Sequence, residues 1–240
     1  MAEEIHLGFA SIERPSKKLL EDLKKISSAT AWGTLANLGF NNTWMEGIRS
    51  LYQGIKIIGP AVTVSYIAFR EDRGIPPERA GQAAQNIAWE AATPGDVIVA
   101  EARGRSDTGV IGDCMSTGYK SKGVAGYVVD GSVRDSPYIK KIMFPVFSRG
   151  VTPTSTKNRL IPSAVNVPIQ CAGVQIVPGD IIIGDDDGVI VIPRAKAEDV
   201  AEKGIEEEIL EDYSRKLLMA GRSLGESYPP KQEWLKEPPI

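Results

Sequence analysis

Two Pro-Gly-Asp turns, Thr93-Pro94-Gly95-Asp96 and Val177-Pro178-Gly179-Asp180, each lead directly into a short apolar run, Val97–Ala100 and Ile181–Gly184. Turn chemistry followed by β-branched residues marks the start of a strand, so each turn is expected to open one. The segments between these turns alternate in period. Leu19, Leu20, Leu23 and Ile26 fall at helical spacing within 15–27, with Pro15 suited to a first helical turn. A loop rich in Gly and Asn follows, and then Lys56–Ile58 and Ala61–Phe69 read as strands broken by Gly59-Pro60. Pro77–Ala91 reads as a helix. After the Gly-punctuated stretch Gly104–Gly112 come a helix from about Cys114 to Lys122 and a buried strand, Ala125–Asp130. Ser136–Ile142 is expected as a short helix and Pro145–Ser148 as a short strand. Beyond Gly150 short strands and turns take over. Asp185–Gly188 reads as a tight acidic turn whose charges face water, and Val189–Ile192 as the return strand of a hairpin. Pro193 then opens a long helix, about Arg194–Ala220, that stops at Gly221. The pattern predicts an α/β fold: one domain over 1–225, with a mixed central β-sheet flanked by helices and a long C-terminal helix. Residues 226–240, Pro-rich around Tyr228-Pro229-Pro230, are expected to form an extended tail.

Composition narrows the chemistry. The chain has one histidine, His6, ahead of any recognisable element. A Ser-His-Asp triad, a Cys-His pair and an imidazole metal site are thereby disfavoured. Catalysis would have to run on carboxylates, Arg, Lys, hydroxyls, backbone amides or an oxygen-ligated metal. A net charge of −3 does not suit a nucleic-acid surface. No apolar run approaches the ~20 residues that span a bilayer. The opening Met1-Ala2-Glu3-Glu4 lacks the features of a secretory signal. Two cysteines, Cys114 and Cys171, form neither a disulfide framework nor a zinc spacing, so a reducing, cytoplasmic setting is expected.

The segments Gly112-Asp113-Cys114-Met115 and Val129-Asp130-Gly131-Ser132-Val133-Arg134-Asp135 carry the candidate site. Asp113 stands where a helix N-cap belongs. The helix runs one way and the following strand returns, so the strand's C-terminal end and the helix N-terminus share the sheet edge where α/β proteins bind ligands. A helix N-terminus favours an anion. Arg134 offers a planar fork for a carboxylate or a developing enolate oxygen. Asp113 and Asp135 supply the hard oxygen donors that Mg²⁺ or Mn²⁺ prefers. Structural readings compete at this level: an Asp before a helix is often a plain cap, and an Arg-Asp pair is often a structural ion pair.

The spacing of Asp113, twenty residues, then Arg134-Asp135 resembles the D-x20-R-D signature of the RraA-like family, which includes the 4-hydroxy-4-methyl-2-oxoglutarate and 4-carboxy-4-hydroxy-2-oxoadipate aldolases. Gly123–Asp135, Pro145–Pro153, Pro178–Pro193 and Gly59–Val64 also resemble family segments, together spanning roughly 25–225. The resemblance implies a swivelling β/β/α-type fold and a divalent metal, Mg²⁺ or Mn²⁺, bound directly by Asp135, with Asp113 holding its water. It also implies an Arg134 that contacts the substrate's oxo and carboxylate oxygens, and amides from Gly112 to Met115, centred on Cys114 and Met115, that receive a pyruvyl carboxylate. The implied reaction is retro-aldol cleavage of a 4-hydroxy-2-oxo acid, or oxaloacetate decarboxylation, through a pyruvate enolate. The family assembles as homotrimers and homohexamers, and a Glu from a neighbouring C-terminal helix completes the site. Glu211 matches that Glu best, with Glu208 as fallback; either equally reads as a solvated helix charge.

Two departures bear on the substrate. Gly33-Thr34-Leu35 stands where many members carry Asp-Ala-Leu, and Gly225-Glu226-Ser227-Tyr228 replaces a Gly-Leu-Asp-x-Tyr pattern. Some relatives are regulators that bind RNA-processing proteins, which gives a non-catalytic alternative. Cys114 has no histidine to activate it as a nucleophile. Trp32, Trp44 and Trp89 are expected in the core or an interface, and no nucleotide or methyl-donor fingerprint is present.

Overall fold

The computed structural model describes residues 12–72 and 86–239. The strands in chain order begin with β1 (Arg49–Ser50), β2 (Ile57–Ala68), β3 (Val97–Glu101) and β4 (Gly126–Val129). Next come β5 (Ser132–Val133), β6 (Val146–Ser148), β7 (Gly150–Val151) and β8 (Leu160–Val165). The last four are β9 (Ile169–Cys171), β10 (Val174–Ile176), β11 (Ile181–Gly184) and β12 (Val189–Ile192). Eight of them form one nearly closed mixed sheet in the order β1-β6-β4-β3-β2-β11-β12, with β8 also paired to β2. The β2-β3, β3-β4 and β4-β6 pairs are parallel. The pairs β2-β11, β11-β12, β2-β8 and β1-β6 are antiparallel.

Alternation along the central strands loads both faces. Val62, Val64, Ile98, Ala100, Tyr127 and Val129 pack in one core cluster. Their neighbours Ala61, Val97, Val99 and Val128 pack in the other, with Phe147, Ile182 and Val191. Strands covered on both sides read as continuous apolar runs rather than alternating ones. Helices Lys17–Leu23 and Ser28–Asn37, the turn between them and the first half of the long helix Ala197–Met219 bury Leu23, Ile26, Leu35 and Val200 against Ile181, Ile183, Ile190 and Ile192.

Gly59-Pro60 does not break β2, contrary to expectation; the strand is continuous over twelve residues. Ala61 exchanges bonds with Gly179 and Asp180 on the β11 side. Alternation therefore turns Pro60 to the β3 side, one residue before the β3 register begins, where its missing N–H leaves no ladder bond unmade. Gly59 is required there, because a Cβ would lie 2.1 Å from the Gly95 carbonyl oxygen.

The expected Gly/Asn loop after residue 27 conceals the helix Ser28–Asn37. Its first turn is satisfied from far away in sequence. Ser27 caps it locally, Asp185 accepts from the Ser28 amide (2.7 Å) and hydroxyl (2.6 Å), and Glu208 accepts from the Ser27 amide (2.9 Å) and the Thr30 hydroxyl (2.7 Å). Asp185 and Asp186 thus correct the reading of a solvated acidic turn, since Asp186 also binds the Gly54 amide at 2.9 Å. The tail is not extended. Leu224–Ser227 is helical, Gln232–Leu235 is a 3-10 turn, and Trp234 is buried against Leu210 and Leu217 of the long helix. Residues 77–85 of the expected Pro77–Ala91 helix, and His6, lie outside the described residues; 86–91 is helical. Among the described residues no helix is long and apolar enough to cross a membrane.

Gly59→Ala should lose on the order of 1–3 kcal/mol of stability, because the obstructing atom is backbone and cannot move aside. Urea unfolding would show a lowered midpoint at an unchanged slope; a wild-type midpoint would contradict this account of β2.

Candidate functional site

Three parallel strands, β3, β4 and β6, end at one edge of the sheet. From β3 the chain enters the loop 102–112 and then the site helix Asp113–Ser121; from β4 it passes through β5 to Arg134-Asp135. Loop and exit strand are laced together. The Ser132 amide donates to Arg105 O (3.3 Å), its hydroxyl to Ser106 O (2.8 Å), the Val110 amide to Ser132 O (2.9 Å) and the Arg134 amide to Ile111 O (3.0 Å). This register sets Gly112 opposite Asp135.

The approach is too close for an undisturbed Cβ at two positions of that contact. A Cβ on Gly112 would lie 2.6 Å from Asp135 Oδ2 and 3.2 Å from Arg134 Nε, and one on Gly109 would lie 2.6 Å from Thr154 O and 3.0 Å from Arg134 Cβ. The glycine-punctuated stretch in the sequence was the signal, although residue types alone do not say what the glycines admit.

The structure brings Asp113, Arg134 and Asp135 together. Arg134 Nε donates to Asp135 Oδ2 at 2.9 Å, and the Asp113 amide approaches the same oxygen at 3.5 Å. Asp135 holds a left-handed backbone (φ 55°, ψ 32°) at the N-cap of Ser136–Lys141, yet its side chain makes no cap bond. Asp is one of the few non-glycine residues that adopt this conformation readily. The Arg134 hydrogen bond holds the Asp135 carboxyl below its ordinary range, against a small upward push from burial. Both side chains remain open to solvent, at 43% and 36% exposure.

Gly112, not Asp113, is the helix N-cap, which corrects the expected cap. Asp113 is the first helical residue, and its Oδ1 accepts from the Cys114 amide at 2.7 Å. The Cys114 amide is therefore engaged by Asp113, and Met115 carries the first-turn amide that has no acceptor among the described residues. The hydrogen bond to Asp113 pushes the exposed Cys114 thiol up.

Within one chain, no hydrogen bond or ion pair among the described residues joins Glu211 or Glu208 to this trio. Glu208 is committed to the helix Ser28–Asn37; its bonds to Thr30 and Ser27 outweigh burial and hold its carboxyl low. Glu211 is half-exposed, 3.2 Å from Arg215 Nη1, and lines a groove with Thr30, Gly33 and Gln232. Trp32, Trp44 and Trp89 are 44%, 42% and 44% exposed, so none is a core residue.

Among the described residues no three His, Cys, Asp or Glu side chains are arranged to hold a metal. The donor set is nevertheless compatible with a hard cation that keeps most of its waters. Both carboxylates stand at the start of the site helix, and Asp135 Oδ2 is the oxygen that Arg134 and the Asp113 amide approach. Gly112→Ala should leave the fold intact, because the atoms in the way are side-chain ends, and should displace the Arg134-Asp135 pair. In an enzyme, misplacing a catalytic group by about an ångström costs on the order of 100-fold in rate. Circular dichroism with kinetics would check this, and a fully active Gly112→Ala protein would contradict it.

Comparison with known proteins follows the same division into fold and site. Residues 23–191 match the family model described as RraA-like: Aldolase/RraA. A Halalkalibacterium halodurans protein, provisionally named 4-hydroxy-4-methyl-2-oxoglutarate aldolase, is 40% identical over 156 residues, covering 65% of this chain and 69% of that protein. Protein DlpA of Legionella pneumophila is 34% identical over 222 residues, which span 90% of this chain but only 35% of DlpA. The crystal structure of Streptomyces coelicolor RraAS2, described as an unusual member of the RNase ES inhibitor RraA protein family, superimposes with a TM-score of 0.77 at 37% identity, over 85% of this chain and 98% of that one. With a matching family model over most of the chain and the same fold in a solved relative, this protein belongs to the RraA-like aldolase/RraA family.

Proposed function

We propose that this chain is a divalent-metal-dependent lyase that cleaves a 4-hydroxy-2-oxo acid to pyruvate and a second oxo acid, with oxaloacetate decarboxylation as a side activity. The observation that carries the reading is the Arg134-Asp135 pair at the helix N-terminus. One carboxylate oxygen is fixed by Arg134 Nε, while the outer guanidinium nitrogens and the other carboxylate oxygen stay open. The aldolase name of the Halalkalibacterium relative points to the same class of reaction.

Asp135 would hold Mg²⁺ or Mn²⁺ directly and Asp113 would act through water. The bound metal would supply Lewis-acid polarisation of the substrate's 2-oxo group. The chain's residues do the rest. The Met115 amide and the helix N-terminus receive the pyruvyl carboxylate. Arg134, through its outer nitrogens, binds the oxo and carboxylate oxygens and strengthens its hold as negative charge develops on the enolate. As the 4-hydroxyl proton passes to water, its O–H electrons form the C4=O bond of the second oxo acid, the C3–C4 bond breaks and its electrons form the enolate, and a proton from water at C3 gives pyruvate.

Asp135→Ala should lower turnover and Mn²⁺ binding together, and Arg134→Lys should lower kcat/KM by roughly 100-fold or more, because an ammonium cannot reproduce the fork. Pyruvate release coupled to lactate dehydrogenase reads both variants, and wild-type kinetics in either would contradict the assignment.

We also infer a homotrimer or homohexamer in which Glu211 of one chain completes the site of its neighbour. Its open position, unlike that of Glu208, suits an intermolecular role. Mixing inactive Glu211→Gln and Asp135→Ala chains should restore part of the activity, and mixed oligomers that stay inactive would contradict a shared site.

One observation favours a second reading: RraAS2 belongs to a family of RNase ES inhibitors. Binding to an RNase E-type protein, without turnover of any 4-hydroxy-2-oxo acid, would establish that alternative.

A further inference from the structure

Asp130 takes no part in the proposed chemistry, yet it lies buried at the end of β4, four residues before Arg134. Its carboxylate collects three backbone amides from two separate segments: Ala102 at 2.5 Å, Gly104 at 3.2 Å and Ala172 at 3.4 Å. The first two flank Arg103, which holds φ 59°; Ala172 holds φ 50° at the tip of the β9-β10 hairpin. One buried carboxylate therefore stabilises two left-handed turns that their own residues do not favour. Gly131 continues the contact, since a Cβ there would lie 2.8 Å from Ala102 Cβ. The lacing that begins at Asp130 runs through Ser132 to the Arg134 amide on Ile111 O, and its far end is the Gly112–Asp135 contact.

We propose that Asp130 is a positioning residue: it anchors the root of the loop 102–112 and thereby sets where Gly112 and Asp113 stand against Arg134-Asp135. Only the kinetic consequence rests on the lyase reading.

The test compares Asp130→Asn with Asp96→Asn in the full chain. Asp96 is an equally buried carboxylate at the opposite end of β3, bonded to Arg14 and the Thr93 amide. In Asp130→Asn the new amide group would point donors at donors. Hydrogen exchange at 102–112 should accelerate tenfold or more, while Asp96→Asn leaves that loop protected. With active protein, Asp130→Asn should lower kcat by about 10- to 100-fold and leave KM within about threefold. Asp96→Asn should lose stability and keep kcat. Unchanged exchange at 102–112 in Asp130→Asn, or kcat losses that merely follow melting temperature in both variants, would overturn the proposal. Should Asp130→Asn fail to fold, Ser132→Ala decides, because it removes one rung of the same ladder. Faster exchange confined to 102–112 supports the proposal, and wild-type exchange there overturns it. A wild-type protein inactive on every 2-oxo acid would end the lyase reading while leaving the exchange comparison intact.

Discussion

Strand β2 does the work of two strands. Its first half pairs with β11, its second half with β8, and its opposite edge with β3, so hairpins and parallel strands share one backbone. That continuity depends on a carbonyl oxygen of Gly95 occupying the space where a side chain at position 59 would stand. The Pro-Gly-Asp turn that delivers this oxygen also starts β3, so the turn and the glycine it meets form one device. With β3 fixed, its C-terminal end delivers the loop 102–112 to the edge where β4 ends.

At that edge the arrangement is one of close backbone approach rather than of clustered charge. The site helix begins on a glycine because Asp135 and the Arg134 side chain fill the volume a Cβ would need. Arg134 meets Asp135 through Nε, which leaves the outer face of the guanidinium for a ligand. Half-exposed ion pairs contribute little to stability. This pair, set on a left-handed residue, is better explained by what it can bind than by what it stabilises.

Much of this was legible beforehand, and the misses share a cause. The strands Ile181–Gly184 and Val189–Ile192 were read with the bounds they have, because β-branched runs between Gly-containing turns are a local signal. The trio at the sheet edge was legible because strand direction and helix N-terminus follow from element order. The helix Ser28–Asn37 was missed because Asp185 and Glu208, more than 150 residues away, satisfy its first turn. The continuity of β2 was missed because a Gly-Pro pair signals a break unless the neighbouring strand is known. The folded tail was missed because the burial of Trp234 depends on the far end of the long helix. Asp113 was placed one residue from its true role because helix ends are set by backbone geometry that residue preference only approximates.

The trio unites a half-exposed carboxylate, an open guanidinium fork and a helix N-terminus, parts that suit stabilisation of a pyruvate enolate with a hard cation. The most direct measurement of that claim is pyruvate release by the wild-type protein. It would be followed with oxaloacetate and with 4-hydroxy-4-methyl-2-oxoglutarate, before and after chelation and after adding back Mg²⁺ or Mn²⁺. The account predicts turnover that disappears with chelator and returns with the metal. Turnover unaffected by chelation, or none with either substrate at any metal concentration, would contradict it.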